Sequence, residues 1–215
     1  ITIVTQNIGY STAKLMELQV GDEIMDVIGP LGQPTHIEKH DGIVLCVGGG
    51  VGIAPLHPIA QAHHNNGNRV ISILGARDKS LIIMEDMMKK ISEETLICTD
   101  NGSYGEKGLV TDMIKRVYDK GEKISEVIAI GPAIMMKFVA KLTKEYNLPT
   151  TVSLNPIMID GTGMCGCCRV LVGTETKFAC VEGPEFDGHL VDFDLLMKRQ
   201  AMYKREEHEC NLKLS

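Results

Sequence analysis

The sequence predicts an α/β protein built on a five-stranded doubly wound parallel sheet, preceded by a short antiparallel β segment and followed by a glycine- and cysteine-rich lobe. Three observations predict it. From Gly42 to Asn155 short β-branched runs alternate with helix-period stretches, the pattern of a parallel sheet covered on both faces. A run of glycines closes the first of those strands and opens the first helix. Beyond Asn155 the composition changes, and Cys165, Cys167, Cys168 and Cys180 fall within sixteen residues.

The first forty residues read as antiparallel. Ile1 to Thr5 and Glu23 to Ile28 have strand composition, with turns at Gly21-Asp22 and Gly29-Pro30-Leu31-Gly32. Two strands alone are marginal in water, so this segment is expected to be the tail of a larger β domain or to pair with something else. The absence of an initiator Met points the same way, to a fragment. The five parallel strands are expected at Ile43 to Val47, Arg69 to Leu74, Thr95 to Thr99, Glu126 to Ile130 and Thr150 to Leu154. Between them, helices are expected at about Ala54 to Asn65, Leu81 to Ile91, Gly108 to Lys120 and Pro132 to Tyr146, each ended by Gly, Asn or a polar turn. An α/β domain with another strand order is the alternative. The lobe after Asn155 runs to Gly188, and Asp192 to Glu207 predicts an amphipathic helix.

Composition narrows the function classes. With 44% hydrophobic and 23% charged residues in 215, the chain is an ordinary globular one. Its formal charge of −6, from 28 acidic against 22 basic residues, offers no basic surplus for phosphates, so nucleic acid is not an expected partner. No run of 18 apolar residues or signal-peptide pattern is present, so a soluble cytoplasmic protein without membrane contact is expected. In a reducing compartment the clustered cysteines suggest a metal or redox site before disulfides.

The sharpest motif is Asp160-Gly-Thr-Gly-Met-Cys165-Gly-Cys-Cys168 followed by Cys180, which counts as D-x4-C-x2-C-x11-C. Plant-type ferredoxins carry C-x4-C-x2-C and a distant fourth Cys; here Asp160 stands first, and a carboxylate can ligate iron. Gly161, Gly163 and Gly166 give the φ freedom and close approach that a loop wrapping a cluster needs. Three alternatives stay open: Cys167 replaces Cys165 or Asp160 as a ligand, four thiols hold tetrahedral zinc, or the thiols are unligated.

The second motif is Val47-Gly48-Gly49-Gly50-Val51-Gly52-Ile53-Ala54-Pro55, a strand-to-helix turn. Such glycines let backbone approach a pyrophosphate at a helix N-terminus, although tight packing alone would also require them. Gly75-Ala76-Arg77-Asp78, Thr99-Asp100-Asn101-Gly102 and Gly131-Pro132 end later strands, so polar and glycine residues gather at the carboxyl edge where open α/β sheets bind ligands. For Arg77 and Asp78 a solvated salt bridge is an equal alternative. His63-His64 reads as a solvated pair at a helix end, and Met84, Met87, Met88, Met135 and Met136 as core filling. Cys46 and Cys98 read as core residues and Cys210 as incidental.

These residues resemble a known family. GGGVGIAP, GARD, TDNGSYGEKG and GP at successive strand ends are similar to the nucleotide domain of the ferredoxin reductase superfamily. DGTGMCGCCRV, FACVEGPEFDGH and VDFDLLMKRQAMYKREE resemble one branch, the small subunits of NADH-dependent ferredoxin:NADP oxidoreductases, with dihydroorotate dehydrogenase electron-transfer subunits as near relatives. The resemblance covers essentially the whole chain. It implies cluster ligands at Asp160, Cys165, Cys168 and Cys180, and pyridine-nucleotide contacts at Gly48 to Gly52, Ala54 and Pro55. It also implies flavin contacts at the turn Gly9 to Thr12 and at Gly29, Pro30, Leu31 and Gly32. The upstream flavin motif of the superfamily is missing, so FAD is implied for the full-length protein.

The resemblance further implies three parts. Residues 1–38 are the end of a flavin-binding β-barrel, 39–154 the NAD(P)-binding domain, and 155–215 the [2Fe–2S] lobe with its helix. A nicotinamide gives two electrons as hydride and a [2Fe–2S] cluster accepts one, so a flavin converter is required between them. The expected function is electron transfer between NAD(H) or NADP(H), FAD and the cluster, to or from a larger redox subunit, with ferredoxin reached indirectly and no obligatory side-chain acid or base. Transfer to a dihydroorotate dehydrogenase is the near alternative. A non-catalytic nucleotide-binding zinc module is the alternative of another class.

Overall fold

A computed structural model describes residues 1–214, so the last residue of the expected 155–215 lobe lies outside the described residues. Among the described residues, nine strands and eight α-helices follow one another. They are α1 Tyr10–Met16, β1 Ile43–Gly49, α2 Ile53–Asn65, β2 Arg69–Ala76, α3 Glu85–Ile91, β3 Glu94–Thr99, β4 Glu106–Lys107, α4 Val110–Asp119, β5 Ile124–Ile130, α5 Ala133–Glu145 and β6 Thr150–Ser153. The lobe adds β7 Arg169–Val172, β8 Glu175–Phe178, α6 Ala179–Glu182, β9 Glu185–Asp187, α7 Phe193–Gln200 and α8 Lys204–Leu214.

The main sheet has the order β4-β3-β2-β1-β5-β6-β9. The five expected parallel strands form its centre, and the order reverses between β1 and β5, which makes the sheet doubly wound. Two short strands enlarge it to seven: β4 pairs parallel with β3, and β9 pairs antiparallel with β6. Period two sorts β1 between two cores. Ile43, Leu45 and Val47 join α4, α5 and α7, whereas Val44 and Cys46 join α2 and α3. All seven β1 residues are buried, as a central strand covered on both faces requires. Helix α4 shows the helical counterpart, with Val110, Met113, Ile114 and Val117 buried at i, i+3, i+4 and i+7. The Leu109 amide donates to Asp112 Oδ2 at 2.9 Å and starts that helix.

Several expectations are corrected. The strands expected at Ile1 to Thr5 and Glu23 to Ile28 do not form; a seven-residue helix, α1, stands between those segments. None of residues 1–41 is buried, and without a ladder partner extended chain gains no pairing. Helix α3 begins at Glu85 rather than Leu81, because Lys79–Leu81 forms a 3-10 turn and Met84 takes a left-handed φ of 55°. The expected helix from Asp192 breaks into α7, a 3-10 turn at Ala201–Tyr203, and α8. His63 is fully buried, not solvated, with Nδ1 3.1 Å from Asn68 Nδ2. Met87 is 45% exposed, whereas Met88 and Met136 are fully buried. Among the described residues no helix is long and apolar enough to cross a membrane.

Candidate iron–sulfur and nucleotide sites

The cysteine lobe is built from a hairpin and a glycine loop. In the β7–β8 hairpin Arg169 pairs with Phe178, and the Ala179 amide donates to the Cys168 carbonyl at 3.2 Å. That register brings Cys168, just before β7, against Cys180, just after β8. Their sulfurs lie 3.1 Å apart, and both residues are buried with Ala179 under Phe178 and Phe186. Asp160 and Cys165 form the other half of the set. The carboxylate of Asp160 accepts from the Thr162 amide at 2.8 Å and the Cys165 amide at 2.7 Å. Those bonds, the Thr162 one foremost, hold its carboxyl below the ordinary range.

Gly163 lies between the two halves, and its amide lowers the Asp160 carboxyl and, against the larger effects of burial and Cys168, the Cys180 thiol. Gly161, Gly163 and Gly166 all take positive φ, 75°, 86° and 65°, a backbone that turns amides inward. Burial, then contact with Cys168, pushes the Cys180 thiol up. The Cys167 thiol is also raised, first by its contact with Cys165, and the Cys167 amide lies 3.5 Å from Cys165 Sγ. Among the described residues no three His, Cys, Asp or Glu side chains are set close enough to hold a metal ion. The loop thus carries two pairs of candidate ligands, Asp160 with Cys165, joined through the Cys165 backbone amide, and Cys168 with Cys180, joined sulfur to sulfur. Thiolate and carboxylate donors ringed by inward amides fit an iron–sulfur group chemically.

The lobe is tied to the sheet and to the N-terminal segment. β9 returns it to β6, and the Leu154 amide donates to the Pro184 carbonyl at 2.8 Å. The turn Gly29-Pro30-Leu31-Gly32 lies alongside: a Cβ on Gly161 would sit 2.7 Å from Leu31 Cδ1, and one on Gly32 would sit 2.3 Å from the Gly183 carbonyl oxygen. Gln33 continues the contact, its amide donating to the Gly183 carbonyl at 2.7 Å. Thr12 sits in the first turn of α1, where its hydroxyl donates to the Gly9 carbonyl and accepts from the Ile8 and Gly9 amides, each at 2.9 Å.

At the carboxyl edge, Gly48 and Gly49 end β1, Gly50–Gly52 form a 3-10 turn, and α2 opens at Ile53 with Ala54 and Pro55. Close packing requires most of these glycines. A Cβ on Gly52 would lie 2.5 Å from the Ile130 carbonyl oxygen and one on Gly49 2.4 Å from Met135 Sδ; at Gly131 it would lie 3.1 Å from Gly49 Cα. Gly50 differs, with φ 54° and open space around a Cβ. A Cβ on Gly75 would lie 2.3 Å from Val110 Cγ1, and Pro132 stands at the N-cap of α5. Two expected contact residues are occupied locally. Thr99, fully buried, donates to the Tyr104 carbonyl at 2.7 Å and accepts from its amide at 3.1 Å. Asp78 accepts from Ser80 N and Oγ at 2.9 and 2.5 Å instead of bridging to Arg77. Val51, Arg77, Asp100 and Gly102 remain at this edge, all four open to solvent.

Comparison with known proteins bears directly on both sites. The model of the iron–sulfur cluster binding domain of dihydroorotate dehydrogenase B matches residues 155–192, and that of the oxidoreductase NAD-binding domain matches residues 46–141. A Thermotoga maritima protein, described as a homolog of the dihydroorotate dehydrogenase B (NAD(+)) electron transfer subunit, is 51% identical over 205 residues, covering 95% of this chain and 72% of its own length. The chain belongs to that electron-transfer-subunit family.

A Methanocaldococcus jannaschii member, described as a probable subunit of the same kind, is 40% identical over 200 residues, 93% of this chain and 74% of its own. A solved structure described as an NADH-dependent reduced ferredoxin-NADP oxidoreductase, from work on flavin-based electron bifurcation, contains a chain 48% identical to this one. It superposes with a TM-score of 0.89 over 98% of this chain and 75% of that one. This family member is therefore an oxidoreductase subunit with a ferredoxin reductase-type fold, an NAD-binding domain and an iron–sulfur domain.

Proposed function

We propose that this chain passes electrons between NAD(H) and a larger redox subunit, with FAD bound by the full-length protein and a [2Fe–2S] cluster held by Asp160, Cys165, Cys168 and Cys180. The observation that carries the reading is the loop in which the Asp160 carboxylate accepts from the Cys165 amide at 2.7 Å, while the sulfurs of Cys168 and Cys180 stand 3.1 Å apart. When bound, the cluster supplies one-electron chemistry, the nicotinamide hydride chemistry, and the flavin the conversion between them.

The chain's own residues bind, orient and shield. Burial of Cys168 and Cys180 under Phe178 and Phe186 keeps water from that half of the loop. The amides of Gly50 to Gly52 and the start of α2 are suited to a pyrophosphate, with Val51, Arg77, Asp100 and Gly102 around it. Thr12 is spent within its own turn, so flavin contact on this chain falls to backbone groups at Gly9 to Ser11 and to Gly29, Pro30, Leu31 and Gly32. That last turn abuts Gly161, a placement that favours a flavin beside the ligand loop. On this reading residues 1–38 belong to a flavin-binding barrel, 39–154 to the nucleotide domain and 155–215 to the cluster lobe.

The partner is a larger flavin and iron–sulfur subunit, and Asp160 in place of the first thiolate favours the ferredoxin:NADP type over the dihydroorotate type. Anaerobic assay of iron, acid-labile sulfide and visible absorption after reconstitution tests the reading. About two irons and two sulfides per chain are expected for a [2Fe–2S] centre; zinc, or seven free thiols, would sink it.

A further inference from the structure

Resting on the cluster reading above, we propose that Arg199 and Arg169 are positioning residues that clamp the ligand loop and set the reduction potential of the cluster. The two residues between Cys165 and Cys168 have both carbonyls held by guanidinium groups. Arg169 Nη1 donates to the Gly166 carbonyl at 2.9 Å, and Arg199 Nη2 donates to the Cys167 carbonyl at 3.2 Å.

The two arginines come from separate elements. Arg169 opens β7 and is exposed, whereas Arg199 is half-buried near the end of α7. Helix α7 is a firm mount: Asp192 caps it, Phe193 and Leu196 are buried in the core, and Gln200 Nε2 donates to the Asn155 carbonyl at 2.8 Å. Drawing both carbonyls outward leaves the intervening amides facing the ligands, as the Cys167 amide faces Cys165 Sγ.

Neither guanidinium forms an ion pair among the described residues, unlike Arg69, Arg116 and Arg205. Two uncompensated positive charges therefore stand beside a site of four anionic ligands. Adding one electron makes that site more negative by one charge, so the cations stabilise the reduced form more than the oxidised form. Both arginines raise the potential.

The test is a redox titration followed by electron paramagnetic resonance, with iron content, on the full-length protein reconstituted with iron and sulfide. Arg199→Gln and Arg169→Gln should each keep iron and lower the reduced-to-oxidised ratio at fixed poise on the order of tenfold, or about 59 mV for one electron. Arg199→Lys, which keeps the charge, should recover most of the wild-type potential. Unchanged potentials in both Gln variants overturn the proposal, as does iron loss with an unaltered potential in the loaded fraction, the mark of a merely structural tie. If Arg199→Gln does not fold, Arg169→Gln on the exposed edge of the hairpin decides the matter. A wild-type chain that takes up no iron instead overturns the cluster reading itself, and this proposal with it.

Discussion

The sulfurs of Cys168 and Cys180 lie 3.1 Å apart across twelve positions of sequence, brought together by a four-residue hairpin ladder that pairs Arg169 with Phe178 and Val172 with Glu175. Two buried thiols at that separation need little movement to reach bonding distance. Mild oxidation of the metal-free protein should therefore join Cys168 to Cys180, and prior iron loading should block it. Peptide mapping by mass spectrometry reads the outcome; a bond between Cys165 and Cys167 in its place would show that the loop is not held as described.

Asp160 is both a loop brace and a proposed ligand. Asp160→Cys should retain iron and shift the cluster potential, because a thiolate donates more electron density than a carboxylate. Asp160→Ala removes the acceptor for the Thr162 and Cys165 amides as well, and iron content should fall severalfold. A redox titration of Asp160→Cys identical to wild type would refute ligation by Asp160.

Gly52 and Gly50 separate packing from backbone freedom in the nucleotide turn. Gly52→Ala drives a Cβ to 2.5 Å from the Ile130 carbonyl oxygen, and such overpacking costs about 1–3 kcal/mol. Gly50→Ala meets no atom but must hold φ 54°, at roughly 1–2 kcal/mol. Thermal melts should rank Gly52→Ala below Gly50→Ala, with each kcal/mol worth roughly 2–4 °C in a chain of this size. NAD(H) affinity measured by titration should fall in both, since each moves the amides of the turn.

Glu185 gives a pH signature for the docking of the N-terminal segment. Burial raises its carboxyl above the ordinary range, while the Thr35 hydroxyl, donating to Oε1 at 2.7 Å, pulls the other way. The folded state therefore binds this proton more tightly than the unfolded state, so the contribution to stability is present at low pH and is lost as pH rises through the raised folded value. Glu185→Gln should accordingly raise the melting temperature at pH 7 relative to wild type and give no advantage near pH 4. An equal gain at both pH values would assign the effect to packing instead of charge.

Much of the sheet was legible because central parallel strands are nearly continuous apolar runs. The five runs from Ile43 to Leu154 became the five parallel strands, each within a few residues of its expected bounds. Helix α4 was equally readable from its buried stripe. The short strands were not: β4 has two residues and β9 three, too few for any period, and both exist only because a longer strand offers them an edge. The N-terminal strands failed for the converse reason, since residues with strand composition found no partner. The burial of His63 is not legible in the sequence, because nothing local shows that the chain near Glu38 and His40 folds back over it through Asn68.

The sequence by itself determined the alternation of strand and helix, the glycine turn after β1, and the spacing of the proposed ligands from Asp160 to Cys180, because each depends on residue type and local period. Tertiary structure alone decided which side chains meet. The hairpin register closes Cys168 on Cys180, β9 carries the lobe back to β6, Leu31 comes to rest against Gly161, and Arg199 reaches the Cys167 carbonyl from a helix 32 positions away. Those contacts join residues far apart in the chain, and their geometry is set by burial and hydrogen bonding across elements, which no local pattern encodes.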